Sequence, residues 1–279
     1  MRIELGTPDI LLLTLDSCRW DSFVEAGMTR TLRGSQPVLS YAQATFTYAA
    51  HMAMFQGIIP HSYVNRAFYN RYNRQLFRIA RRPASREAWL TLASDEADLV
   101  TGLRGLGYRT SCLAAMEWFH HADLSRHFER FVHTGIHAVR QIDLAVAELR
   151  EPERPPLFLL VNLGETHHPY EYSPECMIPP APFSRARLGS SIPTDTFTRE
   201  QQVECARFLD AMMGDLLDTV DSVGRPTLVV ICGDHGECFG EDEHWGHGFY
   251  HPKVMEVPMI IHFMNGLSEG IHPAGENSE

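Results

Sequence analysis

Apolar residues fall in two patterns along the chain. The first is the short continuous run, at Ile10 to Leu15, Leu157 to Leu163, Thr227 to Cys232 and Val257 to Phe263. Runs of this length, bounded by Pro, Gly or charge, predict strands buried on both faces, as in a parallel sheet. Tyr108 to Ala114 predicts one more strand. The second pattern has helical spacing. From His137 to Leu149 it runs through Val139, Ile142, Leu144, Val146 and Leu149, and Pro155-Pro156 breaks it. Thr198 with Gln201 forms a capping-box signal for a helix to about Ser222, expected to bury Val203, Phe208, Met212, Leu216 and Val220 or their near neighbours. Ala49 to Gln56 stops at Gly57, and Ser94 to about Leu106 stops at Gly107. Strands alternating with helices predict an α/β protein, a three-layer α/β/α sandwich on a mostly parallel sheet. Residues 1–279 are expected to form one domain.

Polar residues then concentrate where the strands end. The first strand ends in Asp16. The strand to Leu163 empties into Gly164-Glu-Thr-His-His-Pro-Tyr170. The strand to Cys232 is followed by Gly233-Asp-His-Gly-Glu-Cys-Phe-Gly-Glu-Asp-Glu-His-Trp-Gly-His-Gly248. Open α/β sheets place ligand sites at the carboxyl ends of strands. Carboxylates and imidazoles recurring at three such ends suit a divalent metal of the zinc or manganese type. A single Asp-His pair would read as a polar surface loop. The glycines around Asp234 and His235 leave the backbone room to turn there.

Thr47 precedes the predicted helix at Ala49. A hydroxyl there meets free backbone N–H groups and the positive end of the helix dipole, which favour an alkoxide and a phosphate-like group. An N-cap is the plainer role for it. Residues 66–86 hold seven arginines, and Arg71, Arg74, Arg78 and Arg81 would share one face of a helix. That face either guides an anionic substrate or is simply solvated.

Charge narrows the partners. With 24 basic and 35 acidic residues, the net charge is −11, which argues against broad nucleic-acid binding and an anionic membrane surface. A small anionic substrate would need local positive charge. Cys18, Cys112, Cys176, Cys205, Cys232 and Cys238 form no CxxC pair, as expected of reduced thiols in a cytoplasmic protein. The first residues do not read as a signal peptide, and no apolar run approaches the roughly 20 residues of a membrane span.

Asp16 at a strand end, Thr47 at a helix start, His167-x-Pro169 and the Gly-Asp-His-Gly-Glu cassette stand in the order of the alkaline phosphatase and sulfatase superfamily. The chain resembles that superfamily over roughly residues 8–62 and 156–263. It is most similar to short, soluble bacterial sulfatase-like hydrolases with a Phe-Thr-Tyr-Ala-Ala-His segment, which lack the usual C-terminal subdomain. The resemblance implies an alkaline-phosphatase-like fold with one metal on Asp16, Thr47, Asp234 and His235. It implies a second metal position near His167 and His247, two histidines that also serve catalysis. His51 replaces an arginine of sulfatases and is expected either to touch the substrate or to stand just behind the residues that do, and His168 is expected on the substrate side. Glu165 lies near an acid of some relatives, at a different spacing, while His244 and His251 receive no role. Sulfatases convert a Cys or Ser in Cys/Ser-x-Pro-x-Arg to formylglycine, and here that window reads Thr47-Tyr-Ala-Ala-His51. A threonine nucleophile resembles the phosphodiesterase, phosphonate-hydrolase and phosphoethanolamine-transferase branches. The implied activity is hydrolysis of a small phosphoester or phosphonate through a covalent threonine intermediate. A phosphoryl-group transferase, a sulfoester hydrolase and a non-catalytic metal-binding partner protein are the alternatives.

Overall fold

The central sheet is built on β1 (Asp9–Leu15), whose leucines alternate between the two faces. The computed structural model describes residues 7–57, 77–81, 88–92, 98–170 and 197–266. β1 lies between two parallel neighbours, β7 (Leu157–Leu163) and β8 (Thr227–Gly233), with Leu15 level with both Leu163 and Gly233. Three strands therefore end at one height, and the residues after them emerge together. The other members are β2 (Val38–Tyr41), β5 (Arg109–Ala114), β6 (Arg130–His133) and β11 (Glu256–Met264). The order across the sheet is β2-β11-β8-β1-β7-β5-β6. β11 runs antiparallel to both β8 and β2, and the remaining pairings are parallel. All seven residues of β7 are buried, as a strand covered on both faces requires.

Helices cover both faces. On one, Leu11, Leu13 and Leu15 meet α5 (Ala138–Leu149) and α6 (Arg199–Val223) through Ile142, Ala145, Leu209, Met213 and Leu216. The short helices α1 (Trp20–Ala26) and α2 (Thr29–Leu32) pack on α6. On the other face, Phe158 and Leu160 meet α3 (Thr47–Gln56) and α4 (Leu99–Gly105) through Met52, Phe55, Val100 and Leu103. This is the expected α/β/α layering on a mostly parallel sheet. The Thr198–Gln201 capping box forms as read. Val203, Leu216 and Val220 are buried in α6, but Leu209 and Met213 take the core positions expected of Phe208 and Met212, each one residue on.

Three expectations change. α4 starts later than Ser94, because Asp98 caps it by a reciprocal bond pair with Thr101; residues 93–97 lie outside those described. The arginine-rich stretch is not a helix where it is described. β3 (Phe77–Arg81) pairs antiparallel with β4 (Ala88–Leu92), so Arg78 and Arg81 belong to a strand; Arg66, Arg71, Arg74, Arg82 and Arg86 fall outside the described residues. Of the cassette's glycines, Gly240, Gly246 and Gly248 turn the backbone with positive φ, whereas Gly233 and Gly236, beside Asp234 and His235, serve close approach. A Cβ on Gly233 would lie 2.8 Å from the Cys18 carbonyl oxygen, and one on Gly236 would lie 2.1 Å from that of Lys253. Beyond them, β9 (Cys238–Phe239) and β10 (Trp245–Gly246) form a short antiparallel ribbon. No helix among the described residues is long and apolar enough to cross a membrane.

Candidate metal centre and active site

Asp16, Asp234 and His235 meet just beyond the aligned ends of β1 and β8, all wholly buried, each with a donor atom within 4.8 Å of the others. Thr47, the first residue of α3, joins them. Its Oγ1 donates to Asp16 Oδ2 at 3.1 Å and lies 3.4 Å from His235 Nε2. Phe46, not Thr47, holds the N-cap position, and it makes no side-chain cap bond. The Thr47 hydroxyl is thus committed to the carboxylates instead of to the helix.

The backbone sets these groups. Ser17 takes a left-handed conformation, φ 60°, and its N–H donates to Asp234 Oδ1 at 3.1 Å. The His235 N–H donates to the same oxygen at 2.8 Å. Asp234 Oδ2 is buried with no hydrogen-bond partner. Burial pushes the Asp234 carboxyl well above the usual carboxylate range, and the neighbouring Asp16 charge pushes the same way. For Asp16 burial acts upward too, but the facing His167, His235, His247 and His51 hold it below its ordinary value. Among the described residues, the ion-pair partners of these two acids are imidazoles alone.

Three imidazoles are oriented in one way. His235 Nδ1 lies 2.9 Å from the Gly236 carbonyl oxygen, and His167 Nδ1 lies 2.6 Å from that of His168. A carbonyl only accepts, so each Nδ1 carries the proton and each Nε2 is left with a lone pair. His247 Nδ1 lies 3.1 Å from Glu237 Oε2 in the same sense. The His247 ring centroid is 4.4 Å from that of His235 and 5.3 Å from that of His167. Burial pushes His235 down to about 3, helped by the His247 charge, so it stays a neutral lone-pair donor at neutral pH. Metal-ligating histidines carry this kind of outer hydrogen bond.

A divalent cation fits these residues. Two opposed buried carboxylates, one with an orphaned oxygen, have no Lys or Arg partner among the described residues. Oxygen donors from Asp16, Asp234 and Thr47 with nitrogen from His235 suit zinc or manganese. His167 and His247 adjoin this set as a second group.

Other expected residues stand elsewhere. His51 is wholly buried beneath the centre. Its Nδ1 donates to the Thr47 carbonyl oxygen at 2.9 Å, its Nε2 is 3.1 Å from Thr14 Oγ1, and its ring meets Phe119 at 4.8 Å. Both nitrogens are thereby engaged, so this geometry supports bracing of α3 rather than a substrate contact. His168 is half-buried against His167 and Phe197, and burial together with the His167 charge pushes it down to about 4. Glu165 points behind the centre, accepting from the Ala138 N–H at the start of α5. His244 and His251 both meet Asp242 near the surface.

Several residues escaped the sequence reading. Asn162 Nδ2 reaches Thr14 Oγ1 at 3.2 Å and Asp16 Oδ2 at 3.4 Å. Both are polar interruptions in apolar strands, a signal that was visible. Thr166 Oγ1 donates to the Asp16 carbonyl oxygen, and Gln202 Nε2 bonds the carbonyls of Ser17 and Thr166. Arg19, only 2% exposed, pairs with Asp21 and Glu241 and donates to the Glu237 carbonyl. Through Glu241 and the Glu237 carbonyl, Arg19 ties the loop after β1 to the segment after β8, while Asp21 holds it from the β1 side with a third of its own side chain exposed.

Comparison with known proteins agrees with the fold. A family model described as Sulfatase matches residues 8–278. A search of curated protein sequences finds no match. Among solved structures, the C-terminal periplasmic domain of EcEptC from Escherichia coli, in complex with Zn, is similar at TM-score 0.61 and 13% identity, over 92% of this chain and 73% of that one. The C-terminal periplasmic domain of the phosphoethanolamine transferase EptC from Campylobacter jejuni gives 0.60 and 13%, over 91% and 79%. A protein in the alkaline phosphatase superfamily from Vibrio parahaemolyticus gives 0.57 and 17%, over 93% and 60%.

Proposed function

The chain belongs to the sulfatase family, and on that premise we propose that it is a metal-dependent hydrolase of a small phosphoester or phosphonate, with Thr47 as nucleophile. The observation that carries this reading is the Thr47 hydroxyl at the start of α3, 3.1 Å from Asp16 and 3.4 Å from His235. In this reading Asp16, Thr47, Asp234 and His235 hold one divalent cation, zinc or manganese, and His167 and His247 adjoin a second position. When bound, such a cation supplies charge neutralisation and Lewis acidity toward the substrate's phosphoryl oxygens.

The chain's own residues then divide the work. Asp16 accepts the hydrogen bond of the Thr47 hydroxyl and aligns its oxygen for in-line attack on phosphorus. The P–O bond to Thr47 forms as the bond to the leaving alcohol breaks, leaving a phospho-threonine. His247, whose proton the Glu237 carboxylate favours and whose ring it holds in place, donates a proton to the departing oxygen. In the second step water attacks phosphorus and gives a proton to the His247 left neutral by the first, and the bond to Thr47 breaks as Thr47 regains the proton that Asp16 took up when its oxygen attacked. Asn162 and Thr14 brace Asp16 and His51 from below.

Sulfoester hydrolysis by aldehyde chemistry is disfavoured because no Cys or Ser stands in the Thr47-Tyr-Ala-Ala-His51 window. A phosphoryl transferase has one observation in its favour, the fold shared with a phosphoethanolamine transferase. The reading that the protein works in a reducing compartment rests on Cys18, Cys112, Cys205, Cys232 and Cys238, none of which forms a disulfide among the described residues. The test is a panel of phosphate monoesters, diesters, phosphonates and sulfate esters, with zinc or manganese, with and without an acceptor alcohol. Turnover of phosphate or phosphonate esters in water supports the hydrolase. Turnover only with the acceptor selects the transferase, and turnover of sulfate esters alone overturns both.

A further inference from the structure

A second convergence of metal donors lies outside that centre. Glu117, His120 and His133 each bring one donor atom into a group whose members lie within 4.8 Å of one another. We propose that this trio is a separate binding site for a divalent transition metal of the zinc type, tying the turn after β5 to strand β6 at the sheet edge. The reaction proposed above uses none of the three.

Local structure explains the convergence. Glu117 and His120 open and close a 3-10 turn, Glu117–His120. Side chains three apart eclipse in such a turn, which stacks the carboxylate beside the imidazole. His133 ends β6, paired in parallel with β5, from which the turn departs. The Glu117 carboxylate reaches both rings, Oε2 lying 3.4 Å from His120 Nε2 and Oε1 lying 3.8 Å from His133 Nε2. The ring centroids are 4.4 Å apart. His133 Nε2 donates to the Ala115 carbonyl oxygen at 3.0 Å, the kind of outer bond a ligating histidine carries, so its Nδ1 is the nitrogen left with a lone pair for a cation. Two imidazoles and a carboxylate, with a remaining position open to water, are a zinc donor set. As an ion pair alone the cluster would contribute little, because the Glu117 side chain is 84% exposed.

The position gives the site a consequence. The turn carries Phe119, wholly buried, with its ring 4.8 Å from that of His51. Trp118 packs at 5.7 Å on Phe46 and 6.0 Å on Tyr48, the residues either side of Thr47. A cation joining the turn to β6 therefore fixes the wall against which the start of α3 rests.

The test is zinc binding to the full, metal-stripped chain by equilibrium dialysis, which needs no substrate and so stands apart from the proposed reaction. Wild type is expected to hold one more zinc per chain than the His120→Ala/His133→Ala double variant. Asp234→Ala, altered at the other centre, is expected to keep that extra equivalent. Glu117→Gln, at an exposed side chain whose loss leaves packing intact, is expected to weaken it by about tenfold or more. Cobalt in place of zinc is expected to give a visible absorption band that the double variant lacks. Equal zinc counts in wild type and the double variant, or unchanged affinity in Glu117→Gln, would overturn the proposal.

Discussion

Glu237 faces His247 across 3.1 Å, carboxylate Oε2 to ring Nδ1, with only 4% of the Glu237 side chain exposed. Its other oxygen, Oε1, has no hydrogen-bond partner. An acid buried with half its capacity unused is costly unless it does something for a neighbour. Here it holds the ring whose Nε2 is left to face the site. Glu237→Gln keeps the shape and loses the charge. It is expected to reduce metal affinity or kcat by about 10–100-fold, the usual loss when an outer partner of a ligand is altered. Unchanged kcat and metal content, with an unchanged circular dichroism spectrum, would remove Glu237 from this role.

The tie beneath the cassette predicts an acid limb of stability. Burial alone would raise the Asp21 carboxyl, but Arg19, through hydrogen bonds of 2.8 and 2.6 Å, and Lys253 at 2.9 Å hold it well below the usual range. The folded-state value is depressed, so the pair's stability is present above the ordinary carboxylate pKa of about 3.9 and is lost as pH falls below it. Asp21→Asn is expected to cost about 1–2 kcal/mol at neutral pH, at the lower end for a charged bond because a third of Asp21 stays in water. Its urea midpoint should then vary less than wild type between pH 5 and pH 3, roughly the window in which free carboxylates titrate. Parallel pH profiles for the two proteins would refute the assignment.

Metal binding predicts a change of sign at Asp234. In the metal-stripped protein, Asp234→Asn replaces an acid whose ionisation is opposed by burial and by Asp16, and should not lower Tm. With metal added, wild type should gain about 2.7 kcal/mol at a hundred times Kd, and the variant should gain far less. Thermal melts of both proteins with chelator and with zinc or manganese provide the check. Equal gains for both would mean that Asp234 is not a ligand.

How much of this was legible can be traced to particular residues. β1, β7 and β8 are runs of apolar side chains buried on two faces, and such runs leave a strong mark. Their ends named Asp16, His167 and Asp234 correctly as neighbours in space. β2 and β6 were missed because each is four residues long and largely unburied, so neither shows a periodic pattern. The hairpin β3-β4 was missed because its arginines fit a helical stripe equally well. Glu237 could not be chosen from the four acids that follow His235 in its cassette, since only the fold shows which one turns inward. Thr14 and Asn162 were readable as polar breaks in apolar strands, and their partners across the sheet were not.

The last prediction concerns Thr47. Its Oγ1 donates to Asp16 Oδ2 at 3.1 Å, and Phe46 holds the cap of α3, so Thr47→Ala removes no helix cap. The stability lost is that of one buried hydrogen bond to a charged group, about 1.5–3 kcal/mol. If the hydroxyl is the nucleophile, the rate should fall by at least about a thousandfold, as for other positioned nucleophiles. A folded domain that has lost only that stability does not lose its rate in this way, so the two roles separate. Thr45 is the internal control. It offers the same side chain two residues earlier, only its backbone carbonyl is engaged, with Gly248 N at 2.8 Å, and Thr45→Ala should be mild. Thr47→Ser keeps a hydroxyl at the same Cβ and should retain measurable turnover. The deciding measurement is rapid acid quench during turnover of a phosphoester, followed by peptide mass spectrometry. Phosphate should appear on the peptide bearing Thr47 in wild type and be absent from Thr47→Ala. A Thr47→Ala enzyme with full activity would end the covalent threonine mechanism.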